Sequence, residues 1–293
     1  MADVHKALAL RRATGAPLLG LLLDLRQATT AGPAAIALEG LSAWGPLGVT
    51  EVATLSDLAL GAAIRRTVGT ATLLPTLTLT LELDHDGRGC DATVCAEAEA
   101  TVDATVGAVG RLRSADGLVG RCMATFVVGS READVPPLPW EIDARPPASA
   151  LPRVHEERLT DAEAAVLAAL EPASGGSLEA RLLRLHWQIE DGRSQGTFEP
   201  GLALLNRAGY VQGGATVGLA VAAARAASSH PARLTSVHVQ FVRPTIARRL
   251  QVIGRIMRAG RRTSFATVEL SQDDRVVATA SVTLAHDEAR QGA

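Results

Sequence analysis

The chain reads as an α+β protein made of two tandem halves, each an antiparallel sheet wrapped around one long helix. Three observations carry that reading. A Pro- and charge-rich stretch, Arg131 to Thr160, divides the 293 residues into flanks of similar size. Each flank holds one stretch with almost no charge at helical length, near Thr50 to Ile64 and near Gly214 to Ala224. Around these stretches lie runs with strand character, such as Thr76-Leu-Thr-Leu-Thr-Leu-Glu-Leu83 and Val237-His-Val-Gln-Phe-Val242.

Taken in order, Ala35 to Trp44 reads as a strand, followed by the first uncharged helix. Strand runs follow at Leu74 to Leu83, Ala92 to Gly110 and Leu118 to Val128. In the second flank, strands are expected over Leu182 to Glu190 and Gly196 to Leu205, before the second helix. Further strands are expected over Leu234 to Val242, Arg249 to Arg258, Ser264 to Leu270 and Val276 to Leu284. The hairpin pairs Asp116-Gly117 and Asp273-Asp274 fall at matching places before the last strands. A helix with so little charge around its circumference must be covered on most sides, and a curved sheet does that. The expected domains are residues 1–130 and 161–293, with 131–160 as linker.

Composition narrows the function classes. The net charge of −2 opposes general binding to nucleic acid or to an anionic membrane. No run reaches the roughly 18 apolar residues of a membrane span, and the apolar run Ala16 to Leu23 is broken by Asp24. Cys90, Cys95 and Cys122 are odd in number and lack ligand spacing, so they read as free thiols in a cytoplasmic protein without metal or cofactor. Aromatic residues make up only 3%, so the core must rest on Ala, Leu and Val.

The chemistry centres on Asn206-Arg-Ala-Gly-Tyr-Val-Gln-Gly-Gly214, which runs straight into the second helix. A Gly pair lets a substrate approach the unpaired N–H groups of a helix start, where a developing oxyanion is stabilised. Asn206 could add a side-chain N–H. The segment resembles the Asn-x-x-Gly-x-(Val/Leu)-His-Gly-Gly signature of hotdog acyl-CoA thioesterases of the phenylacetate-pathway and 4-hydroxybenzoyl-CoA type. Gln212 stands in place of the His. The runs Leu234 to Pro244 and Gly260 to Glu269 are similar to the same family, and the resemblance covers about 90 residues of the second half. It implies a double hotdog fold.

In that family an acid stands on the helix eight positions after the first Gly, where this half has Val221. The first half resembles the same helix over Trp44 to Gly61 and has Asp57 at the acid position. It carries Val49 and Thr50 in place of the Gly pair, and Ser42 in place of Asn206. The two halves therefore retain complementary parts of one site. The resemblance implies Gly213, Asn206 and Gln212 on the carbonyl side, Asp57 as base or nucleophile, and Thr76 as the hydroxyl that orients it. Glu51 is a weaker candidate acid, better suited to capping its helix. Gly214, Arg243, Arg261 and Arg262 are candidates to hold the CoA portion. None of the seven histidines lies beside Gly213 or Asp57 in sequence, and His238 reads as a packed or surface strand residue. The expected activity is hydrolysis of an acyl-CoA substrate. The alternatives are a non-catalytic acyl-CoA-binding protein and a hotdog enoyl-CoA hydratase or dehydratase. Paired hotdog folds often associate further, so a homo-oligomer is a candidate assembly.

Overall fold

The computed structural model describes residues 4–28, 35–84, 91–129 without 103 and 116, 137–141, 154–170 without 155, and 176–286. The first half comprises α1 (Val4–Thr14), α2 (Leu18–Leu22), β1 (Arg26–Ala28), β2 (Ala35–Leu41) and the long helix α3 (Val49–Val68). It continues with β3 (Thr76–Leu83), β4 (Asp91–Val102), β5 (Thr105–Ser114) and β6 (Gly117–Val127). The second half repeats that order with α4 (Asp161–Leu170), α5 (Leu178–Leu182), β7 (Trp187–Glu190), β8 (Arg193–Phe198) and α6 (Gly213–Ala227). Its last strands are β9 (Ala232–Phe241), β10 (Leu250–Ala259), β11 (Thr263–Gln272) and β12 (Arg275–His286).

The twelve strands of the described residues form one antiparallel sheet in the order β1-β2-β4-β5-β6-β3-β9-β12-β11-β10-β8-β7. Each half thus runs first, second, fourth, fifth, sixth, third strand from its outer edge to the joint, and the two copies meet by pairing β3 with β9. That pairing registers Thr78 with Gln240 and Glu82 with Ser236. The Thr-Leu alternation explains the geometry of β3: Leu79, Leu81 and Leu83 are buried on the helix side. On the joint, Thr80 Oγ1 lies 2.8 Å from His238 Nδ1, which makes His238 a packed strand residue.

The helices α3 and α6 cross where neither presents a bulky side chain. A Cβ on Gly214 would fall on the Thr54 backbone, and one on Gly218 would fall on Thr50 Oγ1. Thr50 and Thr54 are the counterparts of Gly214 and Gly218 in the repeat, so the two contacts are the same contact seen from either half. Ser42 and Asn206 correspond as well: Ser42 Oγ accepts from Trp44 N at 3.2 Å, and Asn206 Oδ1 from Ala208 N at 2.9 Å. Both are side-chain turns spanning two residues.

Several elements differ from the sequence expectation. The run Ala92 to Gly110 is two strands, β4 and β5, joined by a hairpin; one strand of that length would exceed roughly 60 Å. Leu182 to Glu190 splits between the end of α5 and β7, and β8 starts earlier and stops at Phe198. Leu178-x-x-x-Leu-Leu-x-Leu185 repeats Leu18-x-x-x-Leu-Leu-x-Leu25, a spacing that buries one helical face before each first strand. Part of the expected linker is packed into the first half. Trp140 is fully buried against Gly20, and Arg65 pairs with Glu141 at 2.6 Å. Asp273 and Asp274 adopt φ of 50° and 58°, as a two-residue hairpin turn requires. Asp116, Cys90, His85 and His155 lie outside the described residues. Cys95 and Cys122 are free thiols, and burial pushes Cys122 up to about 12. Among the described residues, no helix is long and apolar enough to cross a membrane.

Glu51 and Glu179 staple the halves together at the start of α3. Glu179 Oε2 accepts Thr50 N at 2.7 Å, and Glu51 Oε1 accepts Glu179 N at 2.8 Å. Gly48 makes room for both, since a Cβ there would lie 2.7 Å from an oxygen of each carboxyl. Burial, and secondarily the Glu179 charge, raise Glu51 to about 7. An acid raised in the folded state costs stability progressively as pH climbs from its unfolded value through its folded one. Glu51→Gln is therefore expected to stabilise the protein at pH 8 by up to about 3 kcal/mol and to have little effect at pH 4. Thermal melts of both proteins at the two pH values check this; equal melting temperatures at pH 8 would refute it.

Candidate active site

The helix crossing brings the middle of α3 against the first turn of α6. A Cβ built on Gly213 would lie 2.9 Å from Asp57 Oδ2 and 3.2 Å from its Cγ. The Asp57 carboxyl thus rests directly on the start of α6, with no side chain between. Thr76, the first residue of β3, donates its Oγ1 hydrogen to Asp57 Oδ1 at 3.1 Å. One carboxylate oxygen is held by the threonine while the other faces Gly213. Burial is the dominant influence on this carboxyl and raises Asp57 to about 6, against the opposing effects of the Thr76 hydrogen bond and the Arg65 charge. A group titrating there can take up a proton near neutral pH.

Gln212 is the N-cap of α6, extended at φ −68° and ψ 145°, and its side chain makes no capping bond. The residue is 2% exposed, and among the described residues neither Oε1 nor Nε2 has a hydrogen-bond partner. A buried carboxamide without partners is costly in a purely structural position. Its backbone is anchored by donating to Leu204 O at 2.9 Å, which fixes where α6 begins.

Other expected residues fall into different places. Asn206 Oδ1 accepts from Ala208 N and from Tyr210 N at 3.0 Å, so this oxygen ties down its own turn. Gly214, expected to meet CoA, faces Thr54 inside the helix crossing, where its missing side chain serves packing. Arg243 is exposed just past β9 and donates Nη1 to Val276 O at 2.6 Å. Arg261 and Arg262 are exposed on the β10–β11 turn. Phe241, beside the site, pairs with Ala278, and Ala278 pairs with Leu270. From that level back to Arg262 is roughly 25 Å along β11. Arg261 and Arg262 therefore stand toward the other end of β11 from the level of Gly213. Glu51 gives Oε1 to the staple with Glu179 and lies apart from Gly213 along α3.

Phe241 was missed in the sequence as a site residue. Its Cζ would lie 3.4 Å from a Gly213 Cβ, on the same face that Asp57 touches. In sequence it looks like any inward residue of an alternating strand, and only the approach of α6 gives it a neighbour with chemistry.

Comparison with known proteins agrees with this architecture. Residues 205–285 match the acyl-CoA thioesterase N-terminal domain family. That segment contains Asn206, Gln212 and Gly213, whereas Asp57 and Thr76 lie outside it. No protein of curated function matches the sequence. The tesB protein of Mycobacterium avium subspecies paratuberculosis superposes with a TM-score of 0.56 at 12% identity, covering 92% of this chain and 98% of its own. Acyl-CoA thioesterase II TesB2 of Mycobacterium marinum gives 0.54 at 14% identity over 94% and 99%. A hot dog fold protein of Alicyclobacillus acidocaldarius gives 0.56 at 13% identity over 92% and 97%. At these identities the superpositions speak for the fold. The chain therefore has the hotdog fold over nearly its whole length, and its residues 205–285 match the acyl-CoA thioesterase domain family.

Proposed function

We propose that this protein is an acyl-CoA thioesterase with one composite site, to which the second half contributes carbonyl-binding donors and the first half a carboxylate. The observation that carries the reading is the contact of Asp57 Oδ2 with Gly213, with Thr76 on the other carboxylate oxygen. Gly213 N–H, at the positive end of α6, polarises the thioester carbonyl. Asn206, whose Oδ1 is fixed by its turn, presents Nδ2 to the same oxygen. The buried Gln212 carboxamide supplies a further polar group at the helix start. Asp57 removes a proton from water as it attacks the carbonyl carbon, or attacks that carbon itself. The tetrahedral oxyanion then collapses and the C–S bond breaks; the CoA sulfur leaves with the proton that Asp57 took from water or, in the direct route, as the thiolate. In the direct route, water then cleaves the acyl–Asp57 anhydride.

The matching place in the other half argues for a single site. Val221 stands where the acid would be, Thr50 stands in place of Gly214, and the Thr50 N–H is taken by Glu179. Position by position, that end of the crossing has Val221 in place of the acid and Val49 in place of Gly213, with the neighbouring N–H already engaged.

Release of free CoA from short, medium, long and aromatic acyl-CoAs tests the reading. Turnover on at least one class, with an acidic limb near pH 6 because Asp57 must be ionised to act, is the expected result. Thr76→Val should lower kcat by about tenfold, a modest share of the usual effect of acid–base catalysis, since it leaves the carboxylate in place without its partner. Binding of acyl-CoA without CoA release on any substrate would instead make the protein a thioester-binding module.

A further inference from the structure

Three elements converge on the face of Gly213: the middle of α3 through Asp57, the start of α6 itself, and the end of β9 through Phe241. The polar wall is Asp57 with Thr76 behind it, and the apolar wall is the Phe241 ring. The first atom of a side chain on Gly213 would already meet both, at 2.9 Å from Asp57 Oδ2 and 3.4 Å from Phe241 Cζ. Phe241 is held in that position by the sheet. It pairs with Ala278 of β12, and the next residue donates Val242 N to Val277 O at 2.8 Å. The ring remains half-buried.

A thioester whose oxygen is received by Gly213 N–H and whose carbon faces Asp57 has this ring as its apolar neighbour. The C(=O)–S group is flat and passes beside a ring edge. The carbon next to the carbonyl is tetrahedral, and each substituent on it widens the group at the level where the ring stands. We propose that Phe241 is a specificity-determining residue that selects acyl groups unbranched at the carbon next to the thioester carbonyl and disfavours branched and aryl groups there. This rests on the acyl-CoA reading of the site and adds the class of acyl group to it.

The test compares hexanoyl-CoA with 2-methylhexanoyl-CoA and benzoyl-CoA in the wild type, Phe241→Ala and Phe241→Leu. One methyl group in a fitted site discriminates by about 10–200-fold. The wild type is therefore expected to favour hexanoyl-CoA in kcat/KM by at least about tenfold. Phe241→Ala is expected to reduce that preference by a similar factor, with Phe241→Leu between them. A preference unchanged in Phe241→Ala overturns the proposal while leaving the thioesterase intact. If no substrate releases CoA, the hydrolytic reading fails by itself. The selectivity is then read by calorimetry with the hydrolysis-resistant CoA thioethers bearing straight and 2-methyl-branched chains. A straight-chain preference that Phe241→Ala diminishes supports the role of Phe241; equal affinities, or no binding of either thioether, overturn it.

Discussion

Asp57→Asn is expected to cut CoA release by at least about a hundredfold, the scale of a lost general base, while making the folded protein more stable above pH 6. The asparagine keeps an oxygen for the Thr76 hydrogen bond and nearly the same volume beside Gly213, but it can neither accept a proton from water nor attack usefully. The stability change has the opposite sign because the native carboxylate is confined by the helix crossing. Asp57 is raised to about 6 in the fold, against about 3.9 in an unfolded chain. The folded state therefore holds the proton more tightly, and stability falls as pH rises from about 4 through 6. Above that window the ionised carboxylate costs on the order of 3 kcal/mol, and the asparagine removes that cost. Melting curves at pH 4 and pH 8, measured beside CoA release, separate the two effects. A variant that loses activity and also melts earlier at pH 8 would mean that Asp57 serves the packing. Full activity in the variant would move the chemistry away from this carboxylate.

Gly214→Ala is expected to destabilise the protein by about 3 kcal/mol or more, at the upper end of what overpacking costs, and to abolish activity with it. The added methyl would fall on the backbone of Thr54, which has no rotamer by which to yield. The helices would have to separate, and their crossing is what sets Asp57 against Gly213. A melting temperature lower by roughly 5–10 °C follows for a chain of this size. Gly61→Ala is the control within α3. Its Cβ would meet Arg65 Nη1 at 3.5 Å, an ordinary contact, so the helix should be unchanged or slightly firmer. Equal melting of Gly214→Ala and wild type would show that the crossing is looser than its geometry implies.

The sequence determined the repeat, both long helices and most of the sheet. Helix and strand periods are local, and two strongly patterned copies reinforce each other. It also singled out Asp57 and Gly213, because complementary losses at Val221 and at Val49-Thr50 are visible along the chain as departures from one pattern, while Thr76 came from the family resemblance. The short leucine-rich helices α2 and α5 were not legible, since a run such as Leu18-Leu-Gly-Leu-Leu22 suits a buried strand as well as a helix. Helices this short are decided by what covers them. Trp140 was hidden for the same reason, a single aromatic in a Pro-rich stretch whose burial depends on Gly20 more than a hundred residues away.

What only the tertiary structure decided is which residues stand at the meeting of the two halves. Gly213 and Gly214 are adjacent and chemically identical in the sequence, yet one faces Asp57 and the other Thr54. The helix turn that separates their directions acquires meaning only once α3 lies across it. Arg261 and Arg262 looked near the site because family runs surround them, while strand register carries them toward the other end of β11. Phe241 comes beside Gly213 in the same way, through the register and packing of elements distant in sequence. Distances between elements are set by packing over the whole chain, and local pattern carries no record of them.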